Sequence, residues 1–164
     1  MDALLVHFYN PVLDKDGVLN KLVAYADPPY CHCELEFANG QSCTVYMDGK
    51  VHIKTRTFDP KSYDTVAVSC APHLHAQALK LALTITVENQ TFRKRAMIAR
   101  LPAPDARTYT CSSKFCGELL QDAGALPRDV SVGRFTSSAL HKVMTVTPVQ
   151  HLVCDSTVID FRLE

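Results

Sequence analysis

Two glycine-containing pairs, Asn39-Gly40 and Asp48-Gly49, constrain this chain more than any other feature. Each follows a short strand-like segment, and Asx-Gly is the residue pair that a tight hairpin turn favours, because its backbone needs positive φ. Cys31 to Phe37 reads as a strand, Asn39-Gly40 as the turn, and Ser42 to Met47 as the returning strand. Asp48-Gly49 turns the chain again into a third strand, Val51 to Thr55. The pattern predicts an antiparallel meander with His32 on its first strand. A hairpin closing at Asn39-Gly40 pairs His32 with about Met47 and sets Val45 and Cys43 on its face. One residue of register slip would exchange that face for the other.

The flanking sequence supplies further elements. Leu4 to Tyr9 is a strand candidate, and Asp64 to Cys70 alternates as another. Val18, Leu19, Leu22, Val23 and Ala26 recur at helical spacing from about Asp16, and Asp27-Pro28-Pro29 stops that helix. Pro72 to Val87 reads as a helix with Leu74, Ala78, Leu81, Ala82 and Ile85 on one face. Cys111 to Ala123 reads as a second long helix with Phe115, Leu119, Leu120 and Ala123 on one face, and Gly124 follows as its C-cap. Thr136-Ser137-Ser138 can cap a helix through Met144, and Thr157 to Phe161 reads as an edge strand. Strands and helices segregate, so the expected class is α+β. With 164 residues, 47% of them hydrophobic, a single domain over residues 1–164 with a real core is expected.

Charge excludes some functions. Seventeen basic residues balance seventeen acidic ones, so no cationic surplus calls for nucleic acid or an anionic membrane. The short cluster Arg93-Lys94-Arg95 reads as a solvated face. No stretch approaches the roughly 20 apolar residues of a membrane span, and Ala3 to Tyr9 lacks the basic flank of a signal peptide. Seven cysteines, an odd number without a secretion signal, argue against a disulfide framework. The expected setting is a reducing cytoplasm.

The candidate chemistry lies at Thr110-Cys111-Ser112-Ser113-Lys114-Phe115-Cys116-Gly117-Glu118. Cys111 stands at a helix start, where unpaired N–H groups and the helix dipole favour a thiolate. Its own N–H could serve an oxyanion, and His32 could act as base on the sheet beneath. Most cysteines and strand histidines are structural, so the pair needs further support. Glu34 shares the strand face of His32 and could orient its ring. Gln41, Ser42 and Thr44 are the polar alternatives on the next strand. Cys116 is a rival nucleophile, disfavoured because its N–H falls within the helical ladder.

Cys111-Ser112-Ser113-x-Phe115, followed by Glu118-Leu119-Leu120 and Ala123-Gly124, resembles the nucleophile helix of the NlpC/P60 superfamily of papain-like enzymes. Pro29-Tyr30-x-His32-x-Glu34-Leu35-x-Phe37 precedes it, and that order resembles the circularly permuted branch with its YiiX/YaeF-like, LRAT-like and poxvirus members. Asp48-Gly49-Lys50-Val51, Arg56-x-Phe58-Asp59, Tyr63-Asp64 and Thr136-Ser137-Ser138-Ala139-Leu140 resemble later segments, so the likeness spans about residues 18 to 144. Cys33 and Lys114 depart from the pattern, and Phe115-Cys116-Gly117-Glu118 resembles a variant nucleophile motif of its own. The resemblance implies a permuted papain-like fold in which Cys111, His32 and Glu34 cleave an amide, isopeptide or ester through a thioester acyl-enzyme. The substrate would be a peptide, an isopeptide or an acyl lipid, with no cofactor. The chain ends at Glu164 without the hydrophobic anchor that many LRAT-like acyltransferases carry, which favours a hydrolase. The alternatives are a thiol acyltransferase and a catalytically inactive protein-binding module.

Metal chemistry has weaker footing. Neighbouring residues of Cys31-His32-Cys33 point to opposite faces of a strand, and His73 and His75 do not share a helix face. No metal is therefore expected, and no phosphate-binding glycine loop or Gly-x-Ser-x-Gly elbow is present.

Overall fold

The structure is a computed structural model that describes residues 2–12, 21, 24–25, 27–46, 50–87 and 112–146. Five strands form one antiparallel sheet: β1 (Asp2–Tyr9), β2 (His32–Glu36), β3 (Gln41–Val45), β4 (Val51–Thr55) and β5 (Tyr63–Cys70). Their order across the sheet is β4-β3-β2-β1-β5, so the meander β2-β3-β4 is continued by β1, and β5 closes the far edge. Three helices follow, α1 (Pro72–Val87), α2 (Ser112–Asp122) and α3 (Ser137–Val146), with a short 3-10 turn at Val132–Arg134. The class is α+β. Lys21, Ala24 and Tyr25 are helical, and the rest of the helix expected from Asp16 lies largely outside the described residues. Cys111, Arg93-Lys94-Arg95 and Thr157 to Phe161 lie outside them too.

Alternation along the strands separates two faces. Val6, Phe8, Cys33, Leu35, Cys43 and Val45 form the apolar face, and Phe115, Cys116, Leu119 and Leu120 of α2 join the same buried cluster. His7, Tyr9, His32, Glu34 and Glu36 point the other way, with His7 opposite Glu34 and Tyr9 opposite His32. Among the described residues no helix is long and apolar enough to cross a membrane.

The β2–β3 hairpin corrects the expected register. Phe37 N–H donates to Gln41 C=O at 2.9 Å, and Gly40 N–H to Phe37 C=O at 2.9 Å. Gly40 has φ of 77°. This is a three-residue loop, a turn followed by a glycine in the left-handed region, not a two-residue loop at Asn39-Gly40. Leu35 therefore pairs with Cys43, and Glu36 with Ser42. Ser42 and Thr44, not Cys43 and Val45, share the His32 and Glu34 face. The reason is burial. This register keeps Cys43 and Val45 with Leu35 in the core, where the other would have put Ser42 and Thr44.

Helix ends follow their local chemistry. Gly124, with φ of 66°, ends α2. Its N–H donates to Gln121 C=O at 3.1 Å, and Ala125 N–H donates to Leu120 C=O at 2.8 Å, the paired bonds of a Schellman cap. Thr136 Oγ1 accepts Ala139 N–H at 3.0 Å and so caps α3. The start of α3 also fixes the chain leading into β2. Ser138 Oγ accepts Tyr30 N–H at 3.1 Å and donates to Asp27 C=O at 2.8 Å.

Candidate functional site

The β2–β3 ladder ends at Leu35–Cys43. Two residues earlier, Cys33 would be next to bond across to β3, but its polar groups go to side chains. Cys33 N–H donates to Ser112 Oγ at 3.3 Å. Cys33 C=O accepts from Thr44 Oγ1 at 2.7 Å and from Cys116 Sγ at 3.7 Å. A buried strand must satisfy both groups, and here Ser112 at the start of α2 takes the N–H while the Thr44 hydroxyl and Cys116 serve the C=O, in place of a β3 backbone. The first turn of α2 thereby meets the strand beside His32.

His32 stands at the start of β2 with 22% of its side chain exposed. Its Nε2 lies 3.4 Å from Thr44 Oγ1 and 3.6 Å from Glu34 Oε1. Thr44 donates its own proton to Cys33 C=O, so its oxygen is left to accept from Nε2–H. That pattern selects the tautomer protonated on Nε2 and leaves Nδ1 as the basic nitrogen. Among the described residues Nδ1 has no hydrogen-bond partner. Of the four polar candidates for orienting His32, Glu34 and Thr44 touch it. Ser42 Oγ lies instead between Lys54 C=O, 3.2 Å away, and the Glu34 carboxylate, and the Gln41 side chain accepts from Asn39 at 2.7 Å.

Glu34 is only 1% exposed, yet it is held ionised. Burial pushes its carboxyl up, but His32, Arg56 and Ser42 together outweigh burial and leave it below the ordinary range. Arg56 Nη1 donates to Glu34 Oε1 at 2.6 Å. Ser42 Oγ donates to Oε2 at 3.4 Å, and Tyr46 Oη donates to the same oxygen at 3.5 Å. Sequence reasoning did not assign Arg56 to this group, because it follows β4 and lies 22 residues from Glu34.

A second histidine–carboxylate pair lies on the same face. His7 Nε2 is 2.6 Å from Glu36 Oε2, Nδ1 is 2.9 Å from Thr65 Oγ1, and Phe58 stacks on the ring at 3.6 Å. Burial lowers its pKa despite Glu36. We read His7 as neutral, with Nε2–H donating to Glu36 and Nδ1 accepting from Thr65, because that form satisfies both ring nitrogens without burying a cation.

The rival nucleophile sits in the core. Cys116 is fully buried, and burial with the neighbouring Cys33 pushes its thiol well above the usual value. A thiol so placed is neither ionised nor accessible. Cys31 is half-buried, and burial pushes its thiol up to about 12. Among the described residues no three His, Cys, Asp or Glu side chains converge on a metal position. Cys33 points into the core, away from His32, and His75 Nε2 instead accepts Ala38 N–H at 3.0 Å.

Comparison with known proteins gives no match: no family model, no curated protein and no solved structure is significantly similar to this chain.

Proposed function

We propose that the protein is a thiol hydrolase of the circularly permuted papain-like type, with Cys111 as nucleophile, His32 as base, and Glu34 and Thr44 orienting His32. The observation that carries this reading is the contact between Ser112, next in the chain to Cys111, and Cys33, next to His32. It ties the start of the cysteine helix to the strand of a histidine whose Nε2 is engaged and whose Nδ1 is left basic. In this reading Nδ1 takes the Cys111 proton, and the thiolate attacks an amide or ester carbonyl to form a thioester. The imidazolium then returns the proton to the departing amine or alcohol. Water, activated by the same nitrogen, releases the acid. Cytoplasmic placement belongs to the same reading and suits the free thiols of Cys31, Cys33, Cys43, Cys70 and Cys116.

The test is labelling with a thiol-directed acyl probe, read by mass spectrometry of the modified peptide. Label on Cys111 that is lost in Cys111→Ser and slowed in His32→Ala supports the reading. Unchanged labelling in both variants overturns it and leaves a partner-binding module. Adding an amine acceptor separates the chemistries: a persistent thioester that an amine discharges faster than water marks an acyltransferase.

A further inference from the structure

We propose that Arg56 is a positioning residue for His32, acting through Glu34: it fixes the buried carboxylate from behind, so that the His32 ring is held with Nε2 protonated and Nδ1 free. The inference rests on the reading of His32 as the base.

The geometry forms one line. Arg56 Nη1 donates at 2.6 Å to Glu34 Oε1, and that same oxygen is the one 3.6 Å from His32 Nε2. Arg56 is itself fixed on several sides. Nη1 also donates to Tyr46 Oη at 3.1 Å, and Nη2 donates to Tyr63 Oη at 3.1 Å. The guanidinium lies over the Phe58 ring at 4.9 Å and the Tyr63 ring at 5.6 Å. A planar group with five donors can bind the carboxylate and two hydroxyls together, whereas an ammonium offers a point charge on a flexible stem. Tyr46 connects the two ends. Its hydroxyl reaches Glu34, and its ring packs against His32 with centroids 5.8 Å apart.

A carboxylate 1% exposed cannot keep its charge unpartnered. Without Arg56 it would take up a proton or turn toward other donors, and either change weakens its hold on Nε2–H. Thr44, at 3.4 Å, would remain as the one strong acceptor facing Nε2–H, a weaker bias than Thr44 and the carboxylate together, and the share of the neutral ring protonated on Nδ1 would rise. The active fraction of His32 would fall without any change in the residues that touch substrate.

Two readouts test this. The first is the 15N spectrum of the His32 ring, which reports the tautomer without reference to catalysis. The second is the rate of Cys111 acylation. In the wild type the Nε2–H form should dominate. Arg56→Met should give a tautomer mixture and slow acylation by about tenfold or more, the scale on which loss of the partner that fixes a metal-bound histidine's tautomer is felt. Arg56→Lys should recover the tautomer and much of the rate. Tyr63→Phe, which removes one anchor of the guanidinium, should fall between them, and it serves if Arg56→Met does not fold. A folded Arg56→Met with the wild-type tautomer overturns the proposal, as does a wild-type tautomer in Tyr63→Phe when Arg56→Met is unfolded. A tautomer change in a protein whose Cys111 never acylates keeps the positioning role and sinks the enzymatic reading instead.

Discussion

Ser112 Oγ accepts the Cys33 N–H at 3.3 Å, joining a helix start to a strand start across 79 residues. The bond lies where the β2–β3 ladder has opened, and it satisfies a buried donor that a β3 carbonyl would otherwise take. Ser112→Ala leaves that N–H without an acceptor. The expected loss is about 1–3 kcal/mol of stability, measurable by urea unfolding, together with slower acylation of Cys111. Wild-type stability in this variant would show that the helix start is held by other contacts.

His7 predicts acid sensitivity. Its folded-state pKa lies below the ordinary 6.5, so below that pH the unfolded chain binds the extra proton first. The stabilisation is complete above 6.5 and is lost as pH falls through the folded value. His7→Gln should therefore flatten the decline of unfolding free energy just below pH 6.5 in a series of denaturant titrations.

Glu34 carries the same sign in a lower window. Its folded pKa lies below the ordinary 4.5, so its contribution is present above 4.5 and lost as pH falls through the folded value. Glu34→Gln should remove that second acid decline while keeping the His7 step, somewhat deepened because the Glu34 charge that raises the His7 pKa is gone. A second decline that persists in Glu34→Gln would assign it to another carboxylate.

Thiol reactivity should sort the cysteines by burial. Cys33, Cys43 and Cys116 are fully buried and should resist an aromatic disulfide reagent until the protein unfolds. Cys116→Ala should keep the acyl labelling of Cys111. Loss of labelling in a folded Cys116→Ala would make Cys116 the nucleophile.

Gly40 isolates a backbone effect. Its φ is 77° and a Cβ there would meet nothing within 4 Å, so Gly40→Ala adds no clash and leaves only the left-handed conformation to support. The expected cost is about 1–2 kcal/mol in urea unfolding. Gly40→Asn should cost less, because asparagine tolerates that region.

Local chemistry was legible. The strands around His32, the span of α1, the Gly124 cap and the Thr136 cap depend on residues within a few positions of one another. The hairpin register was half legible. Asn39-Gly40 marks the turn, but loop length decides the pairing, and the usable signal was that Cys43 and Val45 belong on the Leu35 face. Arg56 carried no such signal, since nothing near it in the chain marks a partner on β2.

The sequence by itself determined the α+β class and the face shared by His32 and Glu34, because alternation and capping are short-range rules. Tertiary structure decided which side chains face that pair. Thr44 reaches His32 through a register set by core burial, Arg56 reaches Glu34 across the sheet, and Ser112 reaches Cys33 where the ladder opens. Each is a contact between distant segments, fixed only when a buried polar group must find its partner inside the packed protein.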